Sequence, residues 1–351
     1  MVGNRLRRRD YTIGWICALP IEKTIAVAML DERHEGLPQN PLDQNNYTLG
    51  QIGAHNVVMT CLPMEGVAPA ASVAAQMRLA FPNLRFTLMV GIGGGVPSAA
   101  HDIRLGDVVV SVPTGTSSGV IQYDYGKTVQ DGRFERKGYL NRPPDMLLNV
   151  VSKLRAEHPI HGSKSSQFLS EMASRHPNLR RAATYPGAEA DWLFEAEYDH
   201  PEKEPTCAQC DTSKLVLRPG GRTNGPMIHY GLIASGNQLM KHGQTREKLR
   251  KELDVLCFEM EAAGLMNIFH CIVIRGVSDY SDSHKNDIWH EYAAATAGSY
   301  AKELLLALSP IDRIELETET DMGVGASECS HLEQMSSPSL RIILIDCPHY
   351  I

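Results

Sequence analysis

Short apolar runs alternate with amphipathic or small-residue stretches along most of the chain. Residues 11–19 indicate a buried strand, and the stretch that follows indicates a helix with Pro20 in its first turn. Residues 46–62 favour a hairpin around Gly53, and residues 69–81 favour a helix built from small residues. The first quarter of the sequence therefore predicts strands and helices in alternation.

The same alternation continues to about residue 310. Residues 85–96 predict a strand that runs into a glycine loop, and 106–113, 231–238 and 271–279 predict further strands. Residues 287–308 predict a long closing helix. Short apolar strands that alternate with helices are typical of an α/β fold whose central sheet is covered on both faces.

Two stretches depart from this pattern. Residues 158–226 are rich in His, Pro, Glu and Gly, so they favour an insertion of loops and short helices within a domain that spans residues 1–310. Residues 311–351 begin acidic and become rich in Ser and Pro, which favours a poorly ordered tail. Within that tail, residues 340–346 could form an isolated strand.

Composition excludes several classes of protein. The 351 residues are 43% hydrophobic and carry a net charge of −7, which argues against a nucleic-acid-binding surface. No apolar run approaches the roughly 18 residues of a membrane-spanning helix, and the basic residues 5–10 precede no secretory signal. Most cysteines lie in apolar stretches, as reduced thiols do in a cytosolic protein, so we expect a cytoplasmic location.

Polar or glycine-rich clusters follow several predicted strands. They comprise Glu22, the run Gly91–Gly95, the pair Glu259 and Glu261, and residues 278–279. Ligands of open α/β sheets bind beyond the carboxyl ends of the strands, so these clusters predict one shared cleft.

Each cluster also has a purely structural interpretation. The glycine run lacks the dinucleotide fingerprint, because Val96 and Pro97 follow it; it favours either a tight turn or backbone N–H groups that approach an anion or sugar. Glu259 and Glu261 suit a helix N-terminus, or two carboxylates that share a face and accept hydrogen bonds from ribose hydroxyls. Met260 would then cover a face of the sugar.

Two further motifs leave alternatives open. Ser278 and Asp279 can cap a strand end, or Asp279 can act as a general acid with a raised pKa. The C-x-x-C pair Cys207 and Cys210, with His200 as a third candidate ligand, falls short of the four ligands of a structural zinc site. We therefore expect a plain loop with reduced thiols, no bound metal and no cofactor.

Five motifs, taken in order, resemble one family. They are "IGWICALPIEK", "VGIGGGVPSAAHDIRLGDVVVS", "GLIASGNQL", "FEMEAAGLMN" and "IRGVSDYSD". The chain resembles the purine nucleoside phosphorylase / methylthioadenosine–S-adenosylhomocysteine nucleosidase superfamily over roughly residues 11–309. It is most similar to the fungal branch, whose domains often begin larger receptor-like proteins. The resemblance implies a three-layer αβα sandwich on a mixed, partly barrelled sheet.

The resemblance also assigns roles to the predicted site. It implies that Glu261 binds the ribose 2′- and 3′-hydroxyls, that Met260 packs on the sugar, and that Glu259 supports the sugar or the base. It implies that Asp279 protonates purine N7 while Ser278 holds its carboxyl. Further base and backbone contacts are expected from Leu239, Met240, Gly93 and Gly94.

The resemblance leaves the nucleophile to be decided. Met89 and Ile92 stand at the positions of the family's phosphate-binding arginine and serine, whereas Glu22 matches the glutamate that activates water in the nucleosidases. We therefore expect hydrolysis of a purine nucleoside or nucleotide, and adenine is the favoured base. Phosphorolysis remains an alternative, because Arg104 or Arg275 could contact phosphate. A module that binds a nucleoside as a sensor, without turnover, is a second alternative.

Two expectations concern substrate and assembly. His284 and Lys285 are expected near the cleft, which admits a 5′-phosphorylated substrate. Members of the family form homo-oligomers, and an insertion at 158–226 could block some interfaces, so we expect a dimer.

Overall fold

A ten-stranded mixed sheet forms the centre of the fold. The computed structural model describes residues 6–201, 206–218 and 225–310. The sheet strands are β1 (Ile13–Cys17), β2 (Glu32–Arg33), β3 (Thr48–Ile52), β4 (His55–Cys61), β5 (Phe86–Gly95), β6 (Val108–Ser111) and β7 (Val120–Gln122), followed by β10 (Ile228–Ser235), β11 (Val255–Glu259) and β12 (Cys271–Asp279). The strands β8 (Gly126–Thr128) and β9 (Phe134–Arg136) form a separate hairpin.

The order of the strands brings distant parts of the chain together. The sheet runs β11-β10-β6-β12-β5-β1-β4-β3-β2, and β7 pairs with β10. Strand β5 lies parallel to β1 and β12 and pairs antiparallel with β11, so the sheet closes partly on itself. The carboxyl ends of β1 and β12 therefore lie on either side of the glycine-rich end of β5.

Within the described residues, six α-helices pack around this sheet. They are α1 (Pro20–Met29), α2 (Val67–Ala80), α3 (Asp145–His161), α4 (Ser165–Arg175), α5 (Gly243–Leu253) and α6 (His290–Ala307). Side chains of β1 alternate between the two faces: Trp15 packs in the apolar cluster of α3 and α6, and Ile16 packs in that of α2 and α4. The predicted three-layer αβα arrangement is confirmed.

The glycine run departs from the sequence-based prediction, which placed it in a loop. Gly91, Gly93, Gly94 and Gly95 belong to β5 itself and pair with β12 or β11. Close packing on both sides explains the missing side chains: a Cβ at Gly91 would lie 2.3 Å from Glu22 Oε1. The glycines thus let neighbouring side chains approach the strand directly.

Several elements carry too weak a pattern to be predicted. Helix α5 has the strongly charged sequence "GQTREKLRKEL", in which the buried set comprises only Gly243, Arg246 and Leu249. An apolar stripe this sparse gives little helical periodicity. Residues 158–226, where described, hold the end of α3, helix α4 and short 3₁₀ turns.

The described helices include none with both the length and the apolar character needed to cross a membrane. The expectation of a poorly ordered tail at 311–351 lies outside the described residues.

Candidate active site

A cavity of about 130 Å³ opens where β1, β5, β11 and β12 end. Nine of the ten site residues predicted from the sequence line it: Glu22, Gly93, Gly94, Leu239, Met240, Glu259, Met260, Glu261 and Asp279. Ser278, the tenth, lies behind the wall, and its hydroxyl donates to Asp279 Oδ2 at 2.8 Å. The shared cleft inferred from the strand ends is therefore present.

Glu22 stands at the junction of β1 and α1, held by the backbone. Pro20 begins the helix and places Glu22 in the first turn, where the N–H groups of Ala18 and Leu19 donate to Oε2 at 2.7 and 2.9 Å. The N–H of Ile92 in β5 donates to Oε1 at 2.8 Å. The side chain is only 4% exposed, so Glu22 is a buried carboxyl and not a solvated residue at a helix start.

Arg275 lies at the centre of the acidic residues. Its guanidinium donates to Glu259 through Nη2 and to Glu261 Oε2 at 3.1 Å, and Nη1 donates to the Ile92 carbonyl at 3.1 Å. Arg275 comes from the middle of β12, is fully buried, and also faces Glu22. One cation is thus surrounded by three buried carboxylates, which leaves an excess of negative charge.

Burial raises the pKa of two of these three carboxyls, Glu22 and Glu261. Burial raises the pKa of Glu22 above its usual range, although Arg275 and the three backbone amides oppose the shift. Burial, together with repulsion from Glu259 and Glu22 and against the attraction of Arg275, raises the pKa of Glu261 to about 7. Glu261 can therefore exchange a proton near neutral pH, and Glu22 keeps its proton to a higher pH than a free carboxyl does.

Asp279 contradicts the expectation of a raised pKa. Burial favours the protonated form, but Lys285 Nζ lies 2.5 Å from Oδ2, and the Ser281 N–H donates to Oδ1 at 2.9 Å. Together with the Ser278 hydroxyl, these donors hold the pKa of Asp279 below its usual value. Asp279 is accordingly a carboxylate paired with an ammonium, and Lys285 also lines the cavity.

Apolar side chains line the remaining wall. Met240, Phe258 and Met260 face the cavity, and Leu239 at its rim is 50% exposed. Met240 and Leu239 follow the carboxyl end of β10, and Met260 lies between the two glutamates at the end of β11. The cavity thus has one charged wall and one wall suited to a flat apolar ring.

Of the four cationic side chains considered from the sequence, Lys285 and Arg275 line the cavity and His284 and Arg104 do not. His284 does not line the cavity; its ring stacks on Phe194 at a centroid distance of 4.1 Å, because the loop after β12 turns it away from Lys285. Arg104 pairs with Asp102 at 2.9 Å and also lies outside the cavity. Arg275 does line the cavity, but its guanidinium is already paired with the carboxylates of Glu259 and Glu261.

Comparison with known proteins places this geometry in a family. The sequence profile described as the phosphorylase superfamily matches residues 12–309. The chain belongs to that superfamily. A nucleotide-binding leucine-rich repeat (NLR)-like protein of Hyaloscypha variabilis is 47% identical over 306 residues, which cover 87% of this chain. The chain spans 30% of the length of that relative.

Two further proteins that resemble the chain are more distant in sequence. A 5′-methylthioadenosine/S-adenosylhomocysteine nucleosidase of Mycobacterium bovis is 24% identical, and the match covers 86% of this chain and 97% of that protein. The solved futalosine hydrolase of Helicobacter pylori superposes with a TM-score of 0.55 at 16% identity, covering 85% and 99% of the two chains. This superposition confirms the fold expected of the superfamily.

Proposed function

We propose that the chain uses water to cleave the N-ribosidic bond of a purine nucleoside or nucleotide and releases the free base. The observation that carries this proposal is the group of three buried carboxylates around Arg275, with Asp279 and Lys285 across the same cavity. Breaking an N-ribosidic bond builds positive charge on the ribose and negative charge on the purine. The carboxylates of the site can stabilise the positive charge on the ribose, and its proton donor can neutralise the negative charge on the purine.

The charge of the site favours water as the nucleophile. A phosphate dianion bound here would lie among the carboxylates of Glu22, Glu259 and Glu261. Arg275, the cation between them, already donates to Glu259 and Glu261. An ionised carboxylate offers about four lone-pair positions. Three backbone amides occupy three of those positions on Glu22, which leaves one to accept a hydrogen bond from water. Glu22 is then the general base.

The remaining residues bind the substrate in this proposal. Glu261 accepts from the ribose diol, Met260 covers the sugar, and Glu259 fixes Arg275 against Glu261. The base lies between Met240 and Phe258, both of which line the apolar wall. Adenine is the favoured base, because the Mycobacterium bovis relative is named as a nucleosidase of two nucleosides that both carry adenine.

Product analysis tests this proposal directly. The full chain is incubated with adenosine, 5′-methylthioadenosine and adenosine 5′-triphosphate, in phosphate-free buffer and in buffer with added phosphate. We expect free adenine and the ribose or its 5′-substituted form without phosphate. Turnover that requires phosphate and yields ribose 1-phosphate would establish phosphorolysis instead, and binding without any base release would establish a sensing module.

The pH dependence of kcat/KM should report the charge on Glu261. Below about pH 7 this carboxyl gains a proton and accepts fewer hydrogen bonds, so kcat/KM should fall as pH decreases through that value. Glu261→Gln should lower kcat/KM more than about tenfold at pH 8. The acidic limb that this carboxyl sets in the pH profile should be absent from the variant, because an amide does not titrate. An unchanged limb in the variant would remove Glu261 from this role.

A further inference from the structure

A second group of reactive side chains lies outside the active-site cavity. His200, Cys207 and Cys210 each offer one ligand atom, and these atoms lie within 4.8 Å of one another. Cys207 and Cys210 are 9% and 7% exposed and pack with Phe194 in a small apolar cluster. The chain thus brings three metal-ligating groups together in a largely dry environment.

His200 is oriented as a metal-binding histidine usually is. Its Nδ1 lies 3.0 Å from the carbonyl oxygen of Pro201, which fixes the tautomer and leaves Nε2 as a lone-pair donor. Its backbone N–H donates to Ser283 Oγ at 2.9 Å, which ties the residue to the loop after β12.

His284 supplies an independent observation that points to a missing partner. Its side chain is more than nine-tenths buried, yet neither ring nitrogen has a hydrogen-bond partner among the described residues. Buried polar atoms in native proteins nearly always have a partner. The ring centroid lies 5.4 Å from that of His200, and the Asp282 carboxylate lies 3.5 Å from Nδ1 without hydrogen-bond geometry.

We propose that His200, Cys207, Cys210 and His284 bind one zinc ion. Two thiolates and two imidazoles form the Cys₂His₂ set of closed, tetrahedral structural sites. His284 joins the other three ligands by moving its ring toward them and binds through Nε2, and Asp282 faces Nδ1 as the outer carboxylate. Zinc replaces the two thiol protons, which pass to solvent. Sequence spacing left this set one ligand short, because His284 lies 84 residues after His200.

The location of the ion gives it a structural role next to the active site. The Cys207 thiol contacts the carbonyl oxygen of His284 at 3.8 Å, and the next residue, Lys285, pairs with Asp279. A metal bound here joins the segment around Cys207 to the loop that carries Lys285. The zinc therefore holds in place the ammonium that faces the cavity.

Metal analysis of the untagged full chain, expressed in zinc-supplemented medium, tests the site. We expect about one zinc per chain by inductively coupled plasma mass spectrometry, and less than about one tenth in the Cys207→Ser/Cys210→Ser double variant. Cys61→Ser is the matched control, since this thiol lies outside the cluster and should leave the zinc content unchanged. Cobalt should give a thiolate charge-transfer band and intense tetrahedral d–d bands, and His284→Ala should weaken the latter.

Two results would overturn the proposal. One is a wild-type chain with less than about one tenth zinc that takes up no cobalt, with or without a Cys207–Cys210 disulfide. The other is a double variant that retains the wild-type zinc content. If the double variant does not fold, an organomercurial titration of the wild type with a chromogenic chelator decides: zinc should appear as two thiols react, and release independent of thiol modification would refute the site.

Discussion

Replacing Glu22 by glutamine should lower kcat for base release by about 10² to 10⁴, the contribution of a general base. The amide cannot take a proton from water, whereas the diol-binding and base-binding side chains stay in place. We therefore expect the dissociation constant of a purine nucleoside to change less than about threefold. The side chains that bind the nucleoside are unchanged, and proton abstraction from water contributes only to the chemical step. Single-turnover base release and isothermal titration calorimetry give the two quantities.

Glu65→Gln is the matched control for this experiment. Glu65 lines the same cavity but is exposed, so the same chemical change there should leave kcat within about twofold. Stability must be measured in parallel, because the side-chain amide introduced by Glu22→Gln would present N–H groups to a backbone donor. Loss of a hydrogen bond to a charged group costs about 1.5–3 kcal/mol, so the free energy of unfolding should fall by about that amount. If binding weakens as much as turnover, Glu22 positions the substrate rather than activating water.

Much of the site could be predicted because its residues follow strands that are strongly apolar. Glu22 stands a few residues after β1, and Asp279 ends β12, so the position of each follows once the strand is recognised. The pair Glu259 and Glu261 likewise stands at the end of an apolar run. Local pattern therefore suffices to place a side chain at the edge of the sheet.

The charge state of the same residues depends on partners that local pattern does not reveal. Arg275 lies inside β12, and only the register with β5 and the ends of β1 and β11 brings it to three carboxylates. Sequence reasoning proposed it as a phosphate ligand, whereas its ion pairs with Glu259 and Glu261 occupy it. The lowered pKa of Asp279 likewise arises from Lys285, which a turn of the intervening loop places beside it.

The glycine run shows the same limit on a smaller scale. Four glycines in six residues predict a loop, because each lowers strand propensity. In the protein they form the end of β5, where Gly94 lies against Ser281, and a Cβ there would stand 2.1 Å from the hydroxyl oxygen. Packing of the glycine run against the side chains of the site determines its strand conformation, and the sequence pattern of one strand does not reveal that packing.

Asp279→Asn should lower kcat for an adenine leaving group by about 10² to 10⁴, because the amide can donate a hydrogen bond to N7 but cannot transfer a proton. A 4-nitrophenyl riboside, whose leaving group departs as a stable anion, should lose less than about threefold. Equal losses for both substrates would mean that Asp279 maintains the shape of the cavity and does not act as the acid.

The source of that proton is the sharper question, since Asp279 is ionised beside Lys285 before substrate binds. We expect the two residues to share one proton, which resides on the ammonium and reaches N7 through the carboxyl.

Lys285→Met removes the strongest influence that lowers the pKa of Asp279, so this pKa should rise and the carboxyl itself should hold the proton. A carboxyl loses its proton at lower pH than an ammonium does, so the alkaline limb of kcat/KM should move to lower pH in this variant while activity at low pH persists. Lys285→Arg, whose guanidinium does not release a proton, should be slow at every pH. A Lys285→Met profile that superimposes on the wild type would exclude Lys285 from the acid and leave Asp279 to obtain its proton directly from solvent.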